Sequence, residues 1–130
     1  MPEIGLITVA SAHNVRETME RLLAALTAHN MTVFARVDHA AGAASAGLSL
    51  RPTEVVLFGN PKGGTALMQD RQTAGIDLPL KALVWQDTPS EVLIGLTAPE
   101  FLQTRHGLPS APFTEVVRLF QALIQPGVQP

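Results

Sequence analysis

Hydrophobic positions along this chain change period several times, and each change marks an element. Ile4 to Ala10 is a short apolar run carrying the β-branched residues Ile4, Ile7, Thr8 and Val9, the pattern of a buried strand. The spacing then becomes helical, with Val15, Met19, Leu22, Leu23 and Leu26 recurring as far as His29-Asn30. Asn14 followed by Glu17 resembles a capping box at the start of that helix, and Arg16, Glu17, Glu20 and Arg21 face water. Met31 to Asp38 alternates. Met31, Val33, Ala35 and Val37 fall on one face, which predicts a strand half covered by the helix.

Ala40 to Gly47 holds only Ala, Gly and Ser and reads as a short helix able to approach neighbouring backbone closely. Val55 to Phe58 is another buried strand, closed by Gly59, and Thr65 to Asp70 follows as a single helical turn. Leu78 to Gln86 and Val92 to Leu96 flank Asp87-Thr88-Pro89-Ser90, so they predict a β-hairpin. Thr97 with Glu100 forms a second capping box, Pro99 sits in the first turn, and Gly107 supplies the stop. Phe113, Val116, Val117, Phe120, Leu123 and Ile124 mark a closing amphipathic helix, ended by Pro126-Gly127. Two long helices and about five strands in this order predict an α+β fold, with the helices on one face of a mainly antiparallel sheet. No repeat, linker or low-complexity tract interrupts residues 1–130, so one domain is expected.

Charge narrows the partners. Lys and Arg number 9 against 11 for Asp and Glu, a formal charge of -2, which offers no basic surface to a phosphate backbone. Nucleic acid is not an expected partner. Only 15% of the residues are charged while 46% are hydrophobic, so apolar surface should remain for a subunit interface, and a homodimer is expected. The absence of cysteine removes disulfides, thiolate metal sites and cysteine nucleophiles, and it suits a reducing cytoplasm. The N-terminus lacks the pattern of a signal peptide, and no apolar stretch approaches the ~20 residues that cross a bilayer. A cytoplasmic protein with no membrane partner is expected.

Candidate chemistry gathers between Phe34 and Met68. Gly59-Asn60-Pro61-Lys62-Gly63-Gly64-Thr65 leaves a strand and enters a helical turn. Its glycines permit positive φ, its amides and the helix end attract negative charge, and Lys62 would stand beside a bound anion. It is not a P-loop, because Lys62 precedes two glycines rather than Ser or Thr. The competing reading is a tight turn with an N-cap. Asp38-His39 is the next candidate, since an imidazole can donate or accept a proton near neutral pH. The plainer role has Asp38 capping the Ala-rich segment. Arg51 offers a fork of donors for a carboxylate or phosphate, or a partner for Glu54. The four histidines show neither the i, i+4 pairing nor the carboxylate neighbours of a metal site, so no metal is expected. Ser45 is one residue out of register for Gly-x-Ser-x-Gly.

Taken together, Asp38-His39-Ala40-Ala41, Gly47-Leu48, Leu50-Arg51-Pro52-Thr53-Glu54, Phe58-Gly59-Asn60-Pro61-Lys62, Gly64-Thr65, Leu67-Met68-Gln69, Asp77-Leu78-Pro79-Leu80-Lys81 and Val84-Trp85 resemble the bacterial and archaeal family called domain of unknown function 302. The resemblance implies a compact fold similar to one half of the TATA-box-binding protein, β-α-β-β-β-β-α with extra short helices, assembled as a homodimer. It implies no established activity, and any cofactor is unknown. Family members often carry Pro after the Gly-Thr of the loop and a Tyr-Asn pair near the last strand. This chain has Ala66, no tyrosine, and Leu96-Thr97, so no ligand contact carries over from that position.

The expectation is therefore a binding module for a small anionic or polar metabolite, with Arg51, Asn60, Lys62, Gly63, Gly64 and Thr65 contacting the ligand beside Asp38 and His39. The alternatives are an enzyme using Asp38 or His39 as acid/base with Lys62 as stabiliser, and a purely structural domain. Which ligand, the isomer of Asn60-Pro61 and the position of the dimer axis are not readable from the sequence.

Overall fold

A computed structural model describes residues 5–108. The closing helix expected from Phe113 to Ile124 lies outside these residues. In chain order the elements are β1 (Leu6–Ser11), α1 (Val15–Ala28), β2 (Thr32–Asp38), α2 (His39–Ser45), β3 (Thr53–Gly59), α3 (Pro61–Asp70), a 3-10 helix (Gln72–Asp77), β4 (Leu80–Thr88), β5 (Glu91–Thr97) and α4 (Pro99–His106). The five strands form one antiparallel sheet in the order β1-β5-β4-β3-β2, so β1 and β2 are its edges.

Burial explains why the sheet has two unlike faces. Glu54, Val56 and Phe58 of β3, Leu80, Ala82 and Val84 of β4, and Val92, Ile94 and Leu96 of β5 are buried at alternate positions, and these form the core face. Met19, Leu22 and Leu26 of α1 are buried with them in one cluster. Each such side chain contributes about 1.5–3 kcal/mol by leaving water, so this seam holds the fold together. Thr18 is the polar exception within α1. It shares a 2.7 Å hydrogen bond with Ser11 Oγ and reaches the His13 carbonyl at 3.3 Å, which ties the helix to β1.

The ends of the elements follow local chemistry. Asn14 caps α1 by accepting from the Glu17 amide at 2.8 Å, as the sequence pattern predicts. Asn30 closes the helix at φ 59, a left-handed residue that lets the Met31 amide return to the Leu26 carbonyl. Gly107 does the same for α4 at φ 62. At the start of α4 the prediction is displaced. Ala98 is the N-cap and, having only a methyl side chain, makes no side-chain hydrogen bond; its amide donates to the Gly5 carbonyl at 2.7 Å. The hairpin is tighter than expected, since Thr88 pairs with Glu91 and only Pro89 and Ser90 turn.

β2 departs from its prediction in a way that matters for the site. Register slips between Val33 and Ala35, and beyond that bulge Arg36 is opposite Val56 and Asp38 opposite Glu54. Arg36 and Asp38 therefore share the core face with α1, while Ala35 and Val37 look outward. The apolar alternation does not run under the helix. An edge strand does not need to bury its apolar set, and all seven residues of β2 are exposed.

Candidate functional site

An open cavity of about 650 Å³ lies where the N-terminus of α1 overhangs the ends of β2 and β4 and the start of β3. Asn14, Val15, Arg16 and Glu20 form its helical wall, and Pro52 and Gln86 lie on the strand side. The Gln86 amide donates to the Pro52 carbonyl at 3.0 Å, which fixes that wall. Arg36, Asp38 and Glu54 project into the cavity because their strands present one face to α1.

Arg36 organises the charges. Its Nε donates to Glu54 Oε1 at 2.7 Å and its Nη1 to Glu20 Oε1 at 3.0 Å, so a strand cation holds a strand carboxylate and a helix carboxylate together. The hydrogen bond to Glu54 raises the Arg36 pKa above its ordinary value, burial acts in the opposite direction, and Glu20 adds to the rise. The guanidinium is thus a permanent charge. Glu54 is 8% exposed and would be costly to bury without this partner. The cavity carries three carboxylates (Glu20, Asp38, Glu54) and two guanidiniums (Arg16, Arg36), which leaves one net negative charge.

The residues picked from the sequence divide between the two ends of the sheet. Asp38 lines the cavity and also caps α2, accepting from the Ala41 amide at 2.9 Å. His39 is the exposed first residue of α2. Arg51 is exposed and does not hold Glu54; that partner is Arg36, whose strand neighbours β3. Asn60 to Thr65 belongs to the far end of the same ladder, where Thr32 pairs with Gly59. Six residue steps along β2 separate Thr32 from Asp38, about 20 Å at the usual rise. Asp38 and His39 therefore do not share a pocket with Lys62, and a single site that uses both ends is not formed.

The glycine loop is also a different object from the one expected. α3 begins at Pro61, so Gly63, Gly64 and Thr65 are helical, and none of them has positive φ. Asn60 Oδ1 accepts from the Lys62 amide at 2.9 Å and the Asn60 carbonyl from the Gly64 amide at 2.9 Å. Those amides already have partners inside the chain. Pro at the first helical position and Asn at the cap are the signals that reveal this start. Asn60-Pro61 is trans, and Leu78-Pro79 is cis.

Asp77 and His106 form a second polar cluster, joining the 3-10 helix to α4. His106 Nε2 lies 2.5 Å from Asp77 Oδ2, and Arg105 Nη1 reaches both Asp77 oxygens at 3.0 Å. No group of three or more metal-ligating side chains converges among the described residues.

The family model described as domain of unknown function DUF302 matches residues 7–125. The chain belongs to this family. A crystal structure of an uncharacterised conserved DUF302 protein from Bacillus stearothermophilus superimposes with a TM-score of 0.78, covering 93% of this chain and 94% of that one at 21% identity. At that identity the likeness concerns the fold. Sequence relatives are named "Fluoride-specific ion channel FluC 1", one from Brucella suis and another from Brucella abortus, each 52% identical over 104 residues. The match takes in 80% of this DUF302 chain but 41% and 38% of the two relatives, so it spans about two fifths of their length. Among the described residues of this DUF302 protein, no helix is long and apolar enough to cross a membrane.

Proposed function

We propose that this DUF302 protein is a cytoplasmic, homodimeric binding domain for a small polar metabolite that carries a cationic group. The observation behind this reading is the cavity under α1. It is large enough for a metabolite, its polar groups converge, and its carboxylates outnumber its guanidiniums. Arg36 is engaged by Glu20 and Glu54, so an incoming anion would compete with two carboxylates already in place, whereas an amine would find Asp38 beside them. The test is a melting series with putrescine and agmatine against phosphate and sulfate at matched ionic strength. A ligand of the native state stabilises by RT ln(1 + [L]/Kd), so a saturable rise with the amines is expected. Asp38→Asn and Glu20→Gln should weaken that rise. A saturable rise with phosphate alone would return the anionic ligand to first place.

The relatives support a second reading, an accessory unit acting beside a fluoride channel. It rests on the 52% identity to part of proteins carrying that name. Fluoride should then shift the melting temperature where equal chloride does not, and loss of the protein should change the fluoride tolerance of its host. If both responses match chloride and wild type, the channel reading falls.

A further inference from the structure

The cavity under α1 is lined by five charged side chains, and three of them already hold one another. Arg36 donates Nε to Glu54 and Nη1 to Glu20, so one strand cation satisfies two carboxylates. Arg16 and Asp38 remain. Arg16 is exposed near the start of α1 and makes no hydrogen bond or ion pair among the described residues. The acid four residues further along the helix, Glu20, is the usual partner for such a side chain, but it turns to Arg36 instead. A cation in the first turn is also opposed by the helix dipole, so α1 gains nothing from Arg16. Asp38 uses Oδ1 to cap α2, and no cation among the described residues pairs with it. The cavity therefore presents one unmatched positive group on its helical wall and one unmatched negative group at the end of β2.

We infer that the ligand of this cavity is a cationic amino acid, which sets its carboxylate on Arg16 and its basic side chain against Asp38. The inference rests on the proposed amine-binding cavity and deepens it, because the cationic group is kept and a carboxylate is required beside it. The unmatched groups are of opposite sign, so a ligand of one sign leaves one of them unsatisfied. A diamine would face Arg16 as a like charge, and phosphate or a dicarboxylate would face Glu20, Asp38 and Glu54. The cavity as a whole carries one net negative charge, three carboxylates against two guanidiniums. A cationic amino acid has two positive groups and one negative, so its single net positive charge matches. The guanidinium of Arg16 meets a carboxylate through two parallel N–H donors, which fixes orientation as well as charge. A volume of about 650 Å³ lies within the roughly 300–1,000 Å³ of small-ligand sites. Arg16 is thus the residue that separates an amino acid from its decarboxylated amine.

Arginine and agmatine differ by that carboxylate alone, as do ornithine and putrescine. Calorimetric titration of the full chain with all four, at matched ionic strength, is expected to give at least about ten-fold tighter binding for the amino acid of each pair. Arg16→Gln should erase the preference, weakening arginine while leaving agmatine unchanged or tighter, since a repelling cation has gone. Arg16→Lys keeps the charge and should keep most of the preference. Asp38→Asn should weaken all four. Arg16 is exposed, so its variants are expected to fold, and damage to the fold would move arginine and agmatine together rather than apart. Equal affinities within each pair, or a preference that survives Arg16→Gln, would overturn the inference while leaving the amine-binding cavity in place. If none of the four binds, the cavity reading falls with it.

Discussion

Arg36 and Glu54 meet diagonally across the β2–β3 ladder, Nε to Oε1 at 2.7 Å, although their direct partners in register are Val56 and Asp38. The pair fastens an edge strand to the core strand beside it. Glu54→Gln removes the ionic acceptor and is expected to lower stability by about 1–2 kcal/mol, discounted because the Arg36 side chain is about a third exposed and partly screened. A double-mutant cycle with Arg36→Met isolates the coupling.

The pH dependence of that coupling has a defined sign on the basic side. Arg36 has a folded pKa raised above the ordinary arginine value, so its contribution is fully present below that unfolded value and is lost only as pH climbs through the folded one. The coupling energy should therefore be flat between about pH 7 and about pH 10, where the lysines begin to titrate. Urea midpoints of the four cycle members at both pH values check this. A coupling that decays within that window would mean Arg36 is not the partner that matters.

Gly63 and Gly64 sit in α3 with room around them. A Cβ at Gly63 would meet nothing within 4 Å, and one at Gly64 would make ordinary contact with Leu78 at 3.9 Å. Gly63→Ala and Gly64→Ala should each stabilise by about 0.5–1 kcal/mol through helix propensity. The denaturation midpoint should rise with an unchanged m-value. Destabilisation by either substitution would revive the positive-φ loop.

Legibility in the sequence followed period and punctuation. The α1 pattern with its Asn14 cap, the Gly107 stop and the β4–β5 hairpin were all readable, because local chemistry determines them. β2 was readable as a strand but not as an edge, since a bulge and a place in the sheet order depend on residues far away in the chain. Asp38 was found as a polar residue at a strand exit. The sequence pairs Glu54 with Arg51, turns Glu20 to water and gives Arg36 no role in a site, although Arg36 and Asp38 are two residues apart on one strand face. Only the antiparallel register of β3 reveals that Glu54 joins them.

Gly5 has φ 74, and a Cβ there would fall 2.5 Å from the Phe101 ring. Gly5→Ala meets both a backbone penalty and a collision, so a loss of about 1–3 kcal/mol is expected. Gly5→Ala combined with Phe101→Ala should behave non-additively, because the smaller side chain relieves the collision and leaves the backbone term. Thermal melts of the three variants decide it.

Asp77 is the shared acceptor of Arg105 and His106, and the His106 side chain is 7% exposed. Asp77→Ala strands a nearly buried ring nitrogen and should cost about 1–3 kcal/mol. The loss should be local. Hydrogen exchange is expected to speed up in α4 and the 3-10 helix while α1 amides stay protected, and a uniform change across the chain would refute that locality.

The sheet order also sets an assembly sequence. β2 to β5 follow one another as neighbours, so their pairings form between stretches that leave the ribosome close together in time. β1 emerges before any of them, yet Leu6 pairs with Thr97, 91 positions later. Contacts of such separation form late, because the intervening chain must be ordered before they close. The first strand thus has no ladder partner until β5 has been made, and docking it against β5 converts a four-stranded meander into the five-stranded sheet.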